Sequence, residues 1–422
     1  MNAVHKLTLA LALAFAANAR ADYLPDPAAA EAALWASPTV AQARGELAAQ
    51  TLRGQSLQRG REEWLVGAEL AQRRIEATQT TPRDNQAEWG LALSRPLRLP
   101  ARAAADRALA GALTAHAEAS LGETLHESGR QLLALWFDWL GVASQSQLWQ
   151  AQLQLAEQQL AVVNARIRLG ESPRAERVNA EAALAQVRLQ QQQASAREQQ
   201  ARSRLLAQYP ALPVAADGAL PLPLPPAGTA EDYVVAVLTH NHELTRARRQ
   251  AEVLQAEARK LAQHRSADPS VGVFYKNEAG GNEHVLGLNL GLTLPGTARR
   301  FDQQAAEQLS AAAQDAVIRL EQRLRQEARA DFEAAAAQAA NWQQADRAAQ
   351  ALDEAERLAA RAYSLGEGSL DQVLLNRRLA LEGRLQAQQT QLSALAIDAR
   401  MKLDAHRLWP LDVDADATHA HP

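Results

Sequence analysis

Cysteine is absent from the 422 residues, so no disulfide stabilises the fold and no lipid can be attached to an N-terminal cysteine of a mature chain. Aromatic residues make up only 4%, far from the composition of ordinary globular cores. After the N-terminal segment no run reaches eighteen apolar residues, so no helix is long and apolar enough to span an inner membrane. A membrane-spanning form would therefore have to be a β-barrel. The net charge of −4 gives no basic face for nucleic acid. Lysine is nearly missing as well: Lys6, Lys260, Lys276 and Lys402 are the only four, and arginine supplies the remaining positive charge. A nucleophile elbow, a phosphate loop and a zinc-type His-Glu pattern are also missing. No catalytic residue, cofactor or resident metal site is therefore assigned, and the sequence does not read as an enzyme.

The chain opens with His5 and Lys6, an apolar run from Leu7 to Ala17, and small residues at Ala19 and Ala21. This is the layout of a cleavable secretory signal over 1–21, with a mature chain from Asp22. Beyond it, Ala, Gln, Glu, Arg and Leu dominate long tracts, as in long helices or coiled coils. Two halves share one plan, 22–209 and 231–410. In the first, an opening helix over about 27–59 leads to strands at about 62–74 and 86–97. A proline stop at Pro96 and Pro100, a long helix to Arg168, a break at 169–173 and a return helix to Gln208 follow. The second has an opening helix over about 231–265, strands at about 270–277 and 283–294 and a stop at Pro295. A long helix to Ser364, a break at 365–369 and a return helix to Leu408 complete it. Pro100 precedes Gly170 by 70 residues and Pro295 precedes Gly366 by 71. A Pro/Ala-rich linker over 210–230 joins the halves, and 411–422 reads as a disordered tail. Each long tract would extend ~100 Å and each shorter one ~50 Å, so one long helix matches two short ones end to end. Leu148, Leu153, Leu155, Leu160, Val163 and Ile167 recur at helical spacing as the packing seam.

The strand segments alternate. Trp64, Val66, Ala68 and Leu70 oppose Leu65, Gly67, Glu69 and Ala71. Trp89, Leu91 and Leu93 oppose Glu88, Gly90, Ala92 and Ser94. Val271, Val273 and Tyr275 oppose Gly272, Phe274 and Lys276, and five leucines from Leu286 to Leu294 alternate with Gly287, Asn289, Gly291 and Thr293. A bilayer-crossing strand needs about 9–11 residues with an apolar outer face and a small or polar inner one. The competing reading is a small amphipathic sheet packed on helices in a soluble protein. Four strands cannot close a lipid-facing barrel, which needs about eight or more, so several copies would have to contribute.

The signal, the duplicated plan and the glycine breaks in Arg166-Ile-Arg-Leu-Gly-Glu and Ala362-Tyr-Ser-Leu-Gly-Glu-Gly-Ser-Leu-Asp-Gln-Val-Leu together resemble the TolC family of outer-membrane efflux proteins. The resemblance covers nearly the whole mature chain. It implies a mainly α fold with a small β part: a homotrimer with an α-barrel tunnel and a twelve-stranded outer-membrane β-barrel, four strands per chain. It also implies a passive exit duct of a tripartite pump, in outer-membrane lipid with a periplasmic extension. The partners would be a periplasmic adaptor (membrane fusion) protein and an inner-membrane pump of the RND type. On the same ground Leu169, Gly170, Glu171, Leu365, Gly366 and Glu367 form the periplasmic tip where the adaptor docks, and Val373 and Leu374 match the apolar positions after the second turn. Arg174, Asp371 and Gln372 are aperture-gate candidates, although Gln372 stands where the family often has aspartate. Asp268-Pro269-Ser270-Val271-Gly272, Gly280-Gly281-Asn282-Glu283 and the leucine-alternating strand resemble the CzcC-type subunits of heavy-metal efflux systems, which implies divalent metal cations as cargo. A drug or general exporter is the alternative, and a soluble periplasmic coiled-coil scaffold the rival from another class.

The metal-efflux resemblance prompts a test of the histidines. His240 and His242 lie two apart and so do not share a helix face, and His419 and His421, after Asp412, Asp414 and Asp416, fit a solvated tail better than a cation site. Trp136, Phe137, Trp139 and Trp149 read as interhelical packing rather than a partner surface. Glu171, Arg174, Glu176, Arg177, Glu367 and Asp371 are ordinarily solvated helix-end charges, and only the resemblance makes them gate candidates. Mass spectrometry of the exported protein is expected to give an N-terminus at Asp22; retention of residues 1–21 would refute the signal peptide.

Overall fold

The computed structural model describes residues 23–60, 62–80, 82–215, 219–264, 268–294, 296–409 and 411. The expected signal peptide, Pro295, Pro410, and His419 and His421 of the tail lie outside these residues. The order of elements is α1 (Pro27–Trp35), α2 (Pro38–Arg59), β1 (Leu65–Ile75), β2 (Asp84–Pro96), α3 (Pro100–Arg168), α4 (Arg174–Gln208), α5 (Ala230–His240), α6 (His242–Gln263), β3 (Ser270–Glu278), β4 (Glu283–Gly291), α7 (Ala298–Ser364) and α8 (Leu370–Asp404). The halves match closely in length: α2 and α6 have 22 residues each, α4 and α8 have 35 each, and α3 and α7 have 69 and 67.

Each opening helix, expected to be continuous, is in fact two. Pro38 cannot donate a backbone hydrogen bond, so α1 stops and α2 restarts with Pro38 as its first residue and the Ser37 hydroxyl accepting from Val40 N at 3.4 Å. In the second half Asn241 takes an extended conformation (φ −69°, ψ 114°) and separates α5 from α6. Side-chain caps define other starts. Asp26 accepts from Ala28 N and Ala29 N ahead of Pro27, and Thr229 and Asp232 form a reciprocal capping box.

The contacts divide the chain into two compact units. The first comprises Met1–Ala41, Thr124–Asn241 and Arg323–Pro422. Its core gathers Leu34, Leu132, Trp136, Trp139, Leu205, Tyr209, Leu395, Leu403 and Trp409. Trp136 is 1% exposed and its Nε1 donates to Tyr23 O at 2.9 Å, so it is a packing residue. Tyr209 donates to Ser128 O at 2.9 Å, and burial pushes its phenol up to about 12. The linker lies along α8 in this unit, with Gln391 Nε2 donating to Pro221 O at 3.0 Å. From Leu220 to Pro226 every third residue (Leu220, Pro223, Pro226) turns inward, while Leu222 and Leu224 are 70% and 77% exposed. That period of three is the polyproline II repeat.

The second unit comprises Gln42–Glu123 and His242–Gln322. It holds a four-stranded sheet of order β1-β2-β3-β4, antiparallel throughout, in which β2 and β3 join the two halves of the chain. β4 was expected to run to 294 but its ladder ends at Gly291, because Ser270 is its last partner and the proline before Ser270 cannot donate. Where the strands meet the helices the charges are paired. Arg98 donates to Asp106 Oδ2 at 2.6 Å and to the carbonyls of Leu57 and Gln58 at 2.7 and 2.9 Å, and Lys260 sits 3.2 Å from Asp106 Oδ1. Arg102 pairs with Asp268, and Leu97 N donates to Pro269 O at 2.7 Å. Burial raises the Asp106 carboxyl, but hydrogen bonds from Arg98 and Lys260 outweigh it and hold the group below its ordinary value. A lowered folded value stabilises the fold above the unfolded pKa of about 3.9, and that contribution is lost as pH falls through the folded value. Asp106→Asn is expected to destabilise the solubilised protein by ~3 kcal/mol at neutral pH. The gap between the thermal midpoints of variant and wild type should begin to narrow as pH falls below about 4 and close below the lowered folded value; a gap unchanged by acid would show that the carboxylate is not the origin.

Candidate functional site

Two places combine chemistry with exposure, and each lies inside one unit. The first is the pair of helix breaks. After α3, Gly170 adopts φ 77°, Gly170 N donates to Ile167 O at 3.1 Å and Glu171 N to Arg166 O at 2.9 Å. After α7, Gly366 adopts φ 80°, Gly366 N donates to Tyr363 O at 3.1 Å and Glu367 N to Ala362 O at 3.0 Å. Both are complete Schellman stops, and the left-handed backbone is why each needs glycine. The return helices start differently: Pro173 lies just ahead of the first residue of α4, while Ser369 caps α8 by accepting from Gln372 N at 3.3 Å. Leu169 and Leu365 stand exposed at the two crests, 73% and 60%.

Beneath the crests the turns are tied together. Val163, Ala180, Tyr363, Leu370 and Val373 form a small core, with Leu160, Ile167 and Leu374 against it. Tyr363 is the centre of the tie: its hydroxyl donates to Glu176 Oε2 at 2.8 Å, its carbonyl accepts from Arg166 Nη1 at 3.2 Å, and the Arg166 guanidinium lies 4.5 Å over its ring. Burial, then the Glu176 hydrogen bond, raises its phenol above the ordinary value. Asn179 Nδ2 donates to Asp371 Oδ1 at 3.1 Å. Thus Asp371 joins the contacts between turns, Gln372 serves through its backbone at the cap, and Arg174, Glu171 and Glu367 are exposed beside them. Tyr363, Arg166 and Asn179 were not singled out from the sequence. A tyrosine three residues before a helix-stopping glycine in one break, and an arginine four before in the other, was the available signal. Beside the tie, an open groove of about 320 Å³ is lined by Trp149, Gln152, Gln159, Ala180, Leu374 and Arg377.

The second place is the sheet. Its register puts Val66, Ala68, Leu70, Trp89, Leu91, Leu93, Val271, Val273, Tyr275, Leu286, Leu288 and Leu290 on one face. The opposite face carries Gly67, Glu69, Arg73, Glu88, Gly90, Ala92, Ser94, Gly272, Phe274, Lys276, Gly287 and Asn289, with Leu65, Ala71 and Val285 among them. On it Arg73 pairs with Glu88 at 2.7 Å, and Lys276 with Glu69 at 3.1 Å. The apolar face is bounded by aromatic groups. Trp64 lies under Arg95 at 5.4 Å at the helix end, and at the loop end Trp89 is 5.6 Å from Tyr275, whose hydroxyl is 2.9 Å from His284 Nδ1. β1 and β4 are the sheet's two edges in this chain.

Among the described residues, no group of three or more His, Asp or Glu could hold a metal ion. Three histidines do meet in the first unit: His406 lies 5.7 Å from His126 and 5.4 Å from His240, centroid to centroid, and His126 Nε2 is 3.5 Å from Asp404 Oδ1. They are too far apart in sequence for spacing to reveal.

No family model matches the chain, and no curated protein matches it. Solved structures do. The CmeC outer-membrane channel of Campylobacter jejuni is similar at TM-score 0.70 and 13% identity, over 93% of this chain and 87% of that one. VceC, an outer-membrane protein of Vibrio cholerae, gives 0.66 and 15%, over 90% and 99%. The open-state MtrE outer-membrane channel of Neisseria gonorrhoeae gives 0.66 and 18%, over 91% and 90%. The chain therefore has the fold of outer-membrane channel protomers.

Tyr363→Phe removes one hydrogen bond and is expected to loosen the tie by ~1 kcal/mol. Hydrogen exchange at residues 160–180 and 360–375 should then quicken by about fivefold; unchanged rates would show that the phenol contributes nothing there.

Proposed function

We propose that this chain is one protomer of a TolC-type outer-membrane duct, the passive exit of a tripartite efflux pump. The carrying observation is the sheet: one face wholly apolar between aromatic borders, the other holding the strands' glycines and the ion pairs of their central rows among a few apolar residues, with edge strands of 11 and 9 residues. Lipid rewards such a face, and it does not tolerate open backbone edges. β1 runs toward the loop end and β4 away from it, so β4 of one copy can pair antiparallel with β1 of the next. Three copies would close a twelve-stranded barrel, within the size range of known barrels. The alternative, a soluble coiled-coil scaffold, leaves Leu70, Leu286 and Leu288, each at least 79% exposed, without cover.

In this reading the crest residues Leu169, Gly170, Glu171, Leu365, Gly366 and Glu367 receive a periplasmic adaptor, and an inner-membrane RND-type pump supplies the energy. Arg174, Asp371 and Gln372 flank the aperture, and the Tyr363 tie holds the turns closed. The CzcC-type resemblance supports divalent metal cations as cargo, and a conduit needs no tight site for them, since tight binding slows exit. No bond is made or broken by this chain.

Fractionation is expected to find a heat-modifiable trimer in the outer membrane; a soluble periplasmic monomer would sink the duct. Leu288→Arg should oppose insertion by ~2–4 kcal/mol and reduce the trimer recovered, whereas Asn289→Arg on the other face should not. Deleting the gene should sensitise cells to zinc, cobalt, cadmium or copper; sensitivity to hydrophobic drugs alone would overturn the metal assignment.

A further inference from the structure

We infer that Gly90 and Gly287 are bore-setting residues: each provides the space in which a long side chain of β3 lies flat along the water-facing side of the sheet. The functional meaning rests on the duct reading above.

Two rows of the register carry this. In one, Glu69 of β1, Gly90 of β2 and Lys276 of β3 lie side by side. Lys276 crosses the middle strand to reach Glu69, with Nζ 3.1 Å from Oε2, a span of two inter-strand spacings or ~9.6 Å. A Cβ at Gly90 would sit 3.2 Å from Lys276 Cγ, so a side chain there obstructs the crossing. In the other row, Ala92, Phe274 and Gly287 are neighbours. The Phe274 ring covers Gly287 so closely that a Cβ there would lie 2.6 Å from its Cε1. A ring laid over a glycine on an edge strand also shields that strand's backbone. Phe274 is the one aromatic among the described strand residues of this face. Upright, it would enter the lumen once per protomer, as would an unpaired lysine.

The first test uses the scarcity of lysine. In purified protein, acetylation of Lys276 by a sulfo-N-hydroxysuccinimide ester is followed by peptide mass spectrometry, with Lys402 as internal reference. Gly90→Val should make Lys276 react severalfold faster while Lys402 is unchanged; an unchanged rate at Lys276 overturns the role of Gly90. The second test is single-channel conductance in planar bilayers. Gly287→Ala should lower it, Phe274→Ala in that background should restore it, and Phe274→Ala alone should leave it at the wild-type value. A loss that Phe274→Ala does not relieve, or no loss, overturns the role of Gly287. Wild-type protein that neither trimerises nor conducts overturns the duct and the bore role with it, and the labelling result then reads the sheet geometry by itself.

Discussion

A backbone amide in hydrocarbon has no water to turn to, and on the proposed function the rest of the chain follows from that constraint. The sheet satisfies the inner N–H and C=O groups of its own four strands, but the outer sides of β1 and β4 can be satisfied only by another copy. Side chains obey the same constraint in the other direction. The face that would meet lipid carries no charge between Val66 and Leu70 or between Leu286 and Leu290, and every ion pair of the strands' central rows lies on the opposite face. At the helix end the cost of gathering arginines is met by pairing. Arg98 is held by Asp106 and two carbonyls, and Arg102 by Asp268, so the strands leave the helices through a network in which each cation has an acceptor.

Duplication supplies the matching lengths, and divergence supplies what the two halves do separately. Both long helices end in the same six-residue hydrogen-bonded stop, so the crests are geometrically alike. The residues beneath them are not. One turn contributes Tyr363, the other Arg166 and Glu176, and the tie exists only because the two copies differ. The return helices diverge too, with proline ahead of α4 and a serine cap on α8. Arg384 of α8 pairs with Asp353 of α7 at 2.7 Å, as the equivalent Arg188 pairs with Glu157 at 3.3 Å in the first half, but α7 also sets Glu356 between Arg377 and Arg384, 3.2 Å from each, where the first half has Leu160.

How much of this was legible in the sequence depended on the range of the interaction. Alternation with period two placed each strand residue on its face, because that pattern is fixed by the backbone itself. Glycine followed by glutamate marked both stops, because a left-handed residue has a chemical signature. The breaks at Ser37-Pro38 and Asn241 were passed over, since Ala-rich surroundings hide a short interruption and asparagine is tolerated on both sides of a helix end. Tyr363 and Arg166 could not be paired, being 197 positions apart. The meeting of His126, His240 and His406 was equally hidden, as no local pattern encodes it. Flanking residues gave only half of each glycine's role at 90 and 287: alternation put them on the small face, and only the register shows what passes over them.

The linker along α8 imposes a different kind of rule. Since Leu220, Pro223 and Pro226 face inward at intervals of three, one inserted or deleted residue would rotate everything after it by a third of a turn. Leu222 or Leu224 would then be carried beneath the strap and a proline brought out. Length variation in this strap among descendants of the gene should therefore accumulate in steps of three codons' worth of residues. The surrounding helices are phased by 3.6 and the strands by two, so a single chain is read by evolution in three different metres.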